Sequence, residues 1–104
     1  MNFEELVTAT IAWADDRSLL EEGNANRQML KVMEEVGELA SGLAKKDRAA
    51  IVDGIGDSFV TLIILAAQLG LSPTQCLLEA YNEIANRKGK TIDGVFIKEC
   101  GKLT

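Results

Sequence analysis

Three glutamates crowd one short stretch of this sequence: "KVMEEVGELA", residues 31–40, brings Glu34, Glu35 and Glu38 together. A second stretch, "DGIGDSFVTLIILAAQL", residues 53–69, opens on Asp53 and has Asp57 as its only charged residue between Gly54 and Leu69. On helices, Glu35 and Glu38 are i,i+3 neighbours and Asp53 and Asp57 are i,i+4 neighbours, so each pair shares a face. An ionised carboxylate in apolar surroundings is costly unless it is paired or binds a metal. Four oxygen donors without a histidine or cysteine partner suit a hard cation, Mg2+ or Mn2+. Mg2+ uses few carboxylates and shares its other positions with water and phosphate oxygens, so an acidic chain can hold an anionic nucleotide through it.

Simpler readings stand beside this one. Glu-Glu-x-x-Glu on a helix is ordinarily a solvated face, and Lys31 with Glu35 is an ordinary i,i+4 pair. Asp57 is open to a buried salt bridge with Lys31 or Arg87. The two carboxylate pairs in combination are more specific than either alone.

Composition narrows the chemistry further. The chain has 104 residues, 47% hydrophobic and 26% charged, as expected of one globular domain over 1–104. A net charge of −5 argues against a protein that lives on nucleic-acid phosphates or anionic membrane. Histidine is absent, which removes most zinc sites, Ser-His and Cys-His nucleophiles, and the histidine-bearing di-iron motif of helix bundles. Cys76 and Cys100 have no metal-ligand spacing; with no signal peptide recognised, the expectation is a cytoplasmic protein with reduced thiols. The longest apolar run, 59–69, is shorter than the roughly 20 residues a bilayer requires, so no membrane partner is expected.

The elements that must position the carboxylates read as four helices, at about 2–15, 25–45, 47–69 and 73–88, with a tail over 90–104. The first has Phe3, Leu6, Val7, Thr10, Ile11 and Trp13 on its apolar side and weakens within "DDRSLLEEGN", where Gly23-Asn24 is a break signal. At about 100° per residue, the second places Val32, Val36, Leu39 and Leu43 on one stripe, widened by Met29, Met33 and Ala40. Arg27, Glu34, Ser41 and Lys45 take the solvent side, and Gln28, Lys31, Glu35, Glu38 and Gly42 form a separate polar stripe. The third closes at Gly70, a natural C′ residue, and Thr61, Ile64 and Gln68 continue the Asp53–Asp57 face. Gly54 and Gly56 inside that helix cost about 1 kcal/mol each relative to alanine, which points to close helix approach or space for a ligand beside Asp57. The fourth starts with Ser72 as N-cap, Pro73 at N1 and Gln75 completing a capping box, and is expected to end at Gly89. In the tail, Val95, Phe96 and Ile97 are expected to dock, without an assigned element.

From Ile55 to Leu69 the third helix is apolar almost all the way round, and such a helix must be buried on every side. Four short helices of one chain cannot do this alone. A homo-oligomer, dimer or tetramer, is therefore expected, with this helix against a partner chain and Phe59 in the core.

These residues resemble the all-α nucleoside triphosphate pyrophosphohydrolases, or MazG-like proteins, whose pattern is Glu-Glu-x-x-Glu on one helix and Glu-x-x-Asp on the next. "EEVGE" matches as Glu34, Glu35 and Glu38, and "GIGD" offers Asp57. The likeness runs from about Ala25 to Gly89, and the chain is similar to the short single-domain members that phages often encode. The resemblance implies an all-α, four-helix-bundle-like fold completed by oligomerisation, and Mg2+-dependent hydrolysis of an (d)NTP to the monophosphate and pyrophosphate. It implies Glu35, Glu38 and Asp57 as metal ligands, with Glu34 assisting or holding the attacking water. Gly54 stands where the family has its first Glu of Glu-x-x-Asp, and Asp53, one residue earlier, is the substitute ligand. "YNEIANRKG" resembles the family's Asn-Glu-Lys-Phe-x-x-Arg region through Asn82 and Arg87, with Ile84 in place of the lysine and Lys88 or Lys90 available for phosphate charge. Lys31 shares the carboxylate stripe and is within reach of a phosphate or of Glu35. Trp13 and Arg17 offer stacking or bonding to a base, against the alternative of a core tryptophan beside a surface arginine. Two other functions compete: a phosphoribosyl-ATP pyrophosphatase-like specificity on the same fold, and a catalytically weak helical binding or regulatory module, which Gly54 favours.

Overall fold

The computed structural model describes residues 1–21 and 24–99. Among them are four helices, α1 (Phe3–Asp16), α2 (Ala25–Ala44), α3 (Arg48–Gln68) and α4 (Pro73–Ala85), followed by two strands, β1 (Gly89–Ile92) and β2 (Val95–Lys98). The mostly helical architecture agrees with the all-α expectation; the small sheet adds to it. The chain divides into two compact units, Met1–Thr74 and Gln75–Thr104.

In the first unit, local chemistry sets the helix ends. Asn2 and Glu5 form a reciprocal capping box, with Glu5 N–H donating to Asn2 Oδ1 at 2.8 Å and Asn2 N–H to Glu5 Oε1 at 3.0 Å. The residues of this box stand together in "MNFEE", three positions apart. α1 stops at Asp16, at the start of the stretch expected to weaken it, and Ser18 follows with φ of 58°. Gly23 lies outside the described residues. Asp47 caps α3, its Oδ1 accepting from Ala50 N–H at 3.2 Å, and Gly70 has φ of 71°, the left-handed geometry expected of it.

α3 is central to the first unit, packed against both α2 and α1. The α2–α3 pair is antiparallel: Gly42 lies against Ala50, Leu39 against Gly54, and Gln28 Nε2 donates to Thr61 O at 3.1 Å. The two glycines of α3 differ. A Cβ at Gly54 would come within 2.9 Å of Leu39 Cβ and 3.0 Å of its Cα, whereas one at Gly56 would meet nothing within 4 Å. Close helix approach therefore explains Gly54, and Gly56 faces open space.

The buried core is small: Val7, Ala14, Val32, Ile63, Ile64 and Thr61. The α2 stripe is split, with Val32 buried and Leu39 half-buried, but Met29, Met33, Val36 and Leu43 exposed. α3 is not enclosed within the chain, and Phe59 is 51% exposed rather than core, touching Phe3 edge-on at a ring separation of 5.9 Å. Within the first unit α3 packs against α1 and α2 alone among the described residues, and the burial expected of it was against a partner chain. By length and composition alone α3, with mean hydropathy 1.8 over its most apolar window, is long and apolar enough to cross a membrane. A core helix of a soluble protein meets the same measure.

The second unit corrects the reading of the C-terminal region. α4 ends at Ala85, three residues short of the expected end, and Gly89 opens a strand. β1 and β2 pair antiparallel, Gly89 with Lys98 through to Ile92 with Val95, around a two-residue Asp93-Gly94 turn with φ of 50° and 77°. That is the geometry of a type I′ hairpin turn, for which Asp-Gly is a favoured pair.

Candidate functional site

The carboxylates lie along one edge of the α2–α3 contact. Successive contacts, Leu39 with Gly54 and Gln28 with Thr61, bracket the level at which Glu35 on α2 and Asp57 on α3 face one another. Both residues are partly buried, while Glu34, Glu38 and Asp53 are exposed. One oxygen each from Glu34, Glu35 and Glu38 can be chosen so that all lie within 4.8 Å of one another. Asp53 is outside that group and sits among Arg48, Ala50 and Val52 on the surface of α3. Gly54 leaves no room for the glutamate that the resemblance calls for at its position, because the Leu39 backbone occupies it.

Glu35 is the electrostatic centre. Loss of hydration pushes its carboxyl above the ordinary glutamate range, and the neighbouring charges of Glu38 and Asp57 push it the same way, with Lys31 opposing. Its Oε2 is screened from solvent and has no hydrogen-bond partner. Lys31 does not pair with Glu35 as expected; its Nζ binds Glu34 Oε1 at 3.2 Å, both side chains being more than half exposed. That bond and charge raise Lys31 above the ordinary lysine range. The i,i+3 partner wins because it shares the solvent side, where an ammonium stays hydrated.

Of the two candidate cations for Asp57, Lys31 is bound to Glu34 instead, and Arg87 belongs to the second unit, where it pairs with Glu83. Among the described residues the ion pairs are Lys31–Glu34 and Arg87–Glu83, the latter at 3.0 Å. Within the described residues of the first unit, a buried-salt-bridge account of Asp57 therefore lacks its cation. An oxygen donor set, an orphaned carboxylate oxygen and a like charge pressed against it are what a divalent cation would relieve. Glu34, Glu35 and Glu38 are the residues that could hold it, with Asp57 adding charge at Glu35.

The remaining candidates belong to other elements. Arg17 lies over the Trp13 ring at 4.3 Å and donates through Nη1 to Trp13 O at 3.1 Å; Trp13 is 47% exposed, so it is not the core residue of the packing alternative. Asn82, Arg87 and Lys88 belong to the second unit. There Asn82 O accepts from Asn86 at 3.4 Å, Arg87 is tied to Glu83, and Lys88 lines a concavity with Gly89, Lys90, Ile97 and Lys98. Lys98 was not anticipated; the hairpin register, once read from Asp93-Gly94, places it opposite Gly89. Cys76 is an exposed free thiol, and Cys100 lies outside the described residues.

No family model matches the chain, and no solved structure matches it. An uncharacterized 18.2 kDa protein from the rep-hol intergenic region of Haemophilus phage HP1 is 45% identical over 67 residues, 64% of this chain. The chain spans about 41% of that relative's length.

Proposed function

We propose that this protein is a Mg2+-dependent nucleotide pyrophosphohydrolase that cleaves an (d)NTP to the monophosphate and pyrophosphate, with Mn2+ able to substitute. The observation that supports it most is the Glu34–Glu35–Glu38 group with the solvent-screened, unpartnered Glu35 Oε2 pressed by Asp57. A divalent cation there would supply charge neutralisation for the triphosphate and lower the pKa of a bound water. Glu35 and Glu38 would hold that cation, and Asp57 would keep the site's negative charge high. Glu34, at the exposed rim, orients the attacking water and accepts its proton. Lys31, fixed beside Glu34, offers an ammonium to a phosphate oxygen. Phosphoryl transfer asks mainly for positioning and charge stabilisation, which these groups provide without a nucleophilic triad.

A second reading, a catalytically weak helical module, is favoured by Gly54, whose packing on Leu39 excludes a fourth glutamate. Pyrophosphate release from canonical and modified (d)NTPs and from phosphoribosyl-ATP, with Mg2+ or EDTA, decides between these readings. The expected result is metal-dependent release that Asp57→Asn and Glu38→Gln each reduce by about 100-fold or more, roughly 3 kcal/mol, with the helical circular dichroism unchanged. Release from phosphoribosyl-ATP alone would reassign the substrate, and an inactive, metal-indifferent wild type would leave the module.

A further inference from the structure

We propose that Gln28 is a positioning residue, whose hydrogen bond to Thr61 fixes the register of α2 against α3 and so holds Glu35 and Asp57 at one level. Its use rests on the cation site proposed above; its geometry rests on the helix contact alone. Residues 45–47 join α2 to α3 at one end of the pair. The close approaches of Gly42 to Ala50 and of Leu39 to Gly54 lie within about two turns of that joint. At the other end nothing covalent ties the helices. There Gln28 Nε2 donates to Thr61 O at 3.1 Å, and among the described residues this is the one hydrogen bond that crosses from α2 to α3. Apolar burial is non-directional, whereas a hydrogen bond weakens steeply with distance and angle. The bond therefore supplies an axial restraint that the apolar contacts lack, at the end where the loop supplies none.

Thr61 connects that bond to the carboxylate. It is buried, one turn after Asp57, and its Oγ1 is placed to donate to Asp57 O at 3.0 Å or Ser58 O at 3.1 Å. Its carbonyl thus takes the Gln28 amide while its hydroxyl ties down the turn that has Asp57. On α2, Gln28 and Glu35 are seven residues, two turns, apart on the same polar stripe. Glu35 is placed from Gln28 along one helix and Asp57 from Thr61 along the other, and the single bond between them sets one against the other. Gln28 is half-buried, where an apolar side chain would bury more surface without a polar group to satisfy. Fixing register is the best-attested use of such a polar group in a helix contact. The restraint works against the repulsion between two carboxylates, because the charge of Asp57 acts on Glu35. In the absence of metal, keeping them at one level costs stability, which makes the restraint measurable without a ligand.

The test is a double-mutant cycle on the full chain, by urea denaturation in EDTA at pH 8, with Gln28→Met, Asp57→Asn and the two combined. Asp57→Asn removes the repulsion at Glu35 and should lower the unfolding equilibrium constant. In the Gln28→Met background, where the carboxylates are free to move apart, that gain should shrink by at least about 3-fold. A glutamine that only adds stability would leave the gain unchanged, so an equal or greater gain in that background overturns the proposal. If Gln28→Met loses its helical circular dichroism, Gln28→Ala, which removes the donor and puts no bulk in the seam, takes its place. The second readout is the binding of Mn2+ alone, followed by electron paramagnetic resonance. Gln28→Met should weaken it about 10-fold or more, and Val7→Ala, a core truncation on α1, should not. Equal weakening by both variants would also overturn the proposal. A wild type that binds no Mn2+ would instead sink the cation site, and the metal-free cycle would still decide whether Gln28 sets the register.

Discussion

Glu35 is held toward its acid form, whereas the cation site proposed above would need its carboxylate. Loss of hydration, with Glu38 and Asp57 close by, raises its folded-state pKa above that of the unfolded chain. The folded form therefore binds its proton more tightly, and linkage gives stability that falls as pH rises from the ordinary glutamate range through Glu35's own raised range. The penalty is complete above that range, where a divalent cation would compensate it. Thermal melts in EDTA should show a midpoint that declines across this window, and Glu35→Gln should flatten the decline and abolish any Mg2+-dependent upshift. An unaltered profile in the variant would assign the decline to another group. At this scale the spacings speak for faces, pairing Glu35 with Glu38 and Asp53 with Asp57, whereas burial divides each pair: Glu35 and Asp57 are partly buried, and Glu38 and Asp53 are exposed. The sequence was uninformative about partners, since Lys31 has Glu34 and Glu35 at equally permitted spacings and only solvent exposure selects between them.

Among the helices, Gly54 and Gly56 look alike in sequence and differ in what surrounds them. Gly54→Ala gains helix propensity of about 1 kcal/mol, but its Cβ meets the Leu39 backbone and forces α2 and α3 apart, for a net loss of about 1–3 kcal/mol. Gly56→Ala meets nothing and should gain up to about 1 kcal/mol. Urea denaturation of the two variants should give midpoint shifts of opposite sign. The helix limits were legible where a terminus has its own chemistry, as at Asp47, Gly70 and Pro73. The hairpin was legible too, in Asp93-Gly94 between Lys90-Thr91-Ile92 and Val95-Phe96-Ile97, but Gly89 read as a helix stop drew α4 three residues too far. A glycine cannot be assigned to a helix end or a strand start from its type alone. Here a Cβ at Gly89 would collide with the Ile97 carbonyl and lie 2.7 Å from the Phe96 ring, a cross-strand contact that periodicity does not encode.

For the molecule as a whole, amphipathic patterning predicts which faces are apolar but not which of them the chain covers itself, and α3 shows the difference. The same architecture has a consequence for the order of assembly. α2 and α3 are joined by three residues and meet through contacts close in sequence. α1 instead is tied at one end by Thr74 Oγ1 donating to Glu4 Oε2 at 2.8 Å and at the other by Gln68 Nε2 donating to Leu19 O at 2.7 Å. Those bonds close loops of 70 and 49 residues, an entropic cost that local contacts do not bear. α1 should therefore dock after the α2–α3 hairpin has formed. Trp13, the chain's one tryptophan, lies on α1 and reports that event without a label. In stopped-flow refolding its fluorescence should trail the recovery of helical circular dichroism, and coincident traces would mean that the three helices condense in a single step.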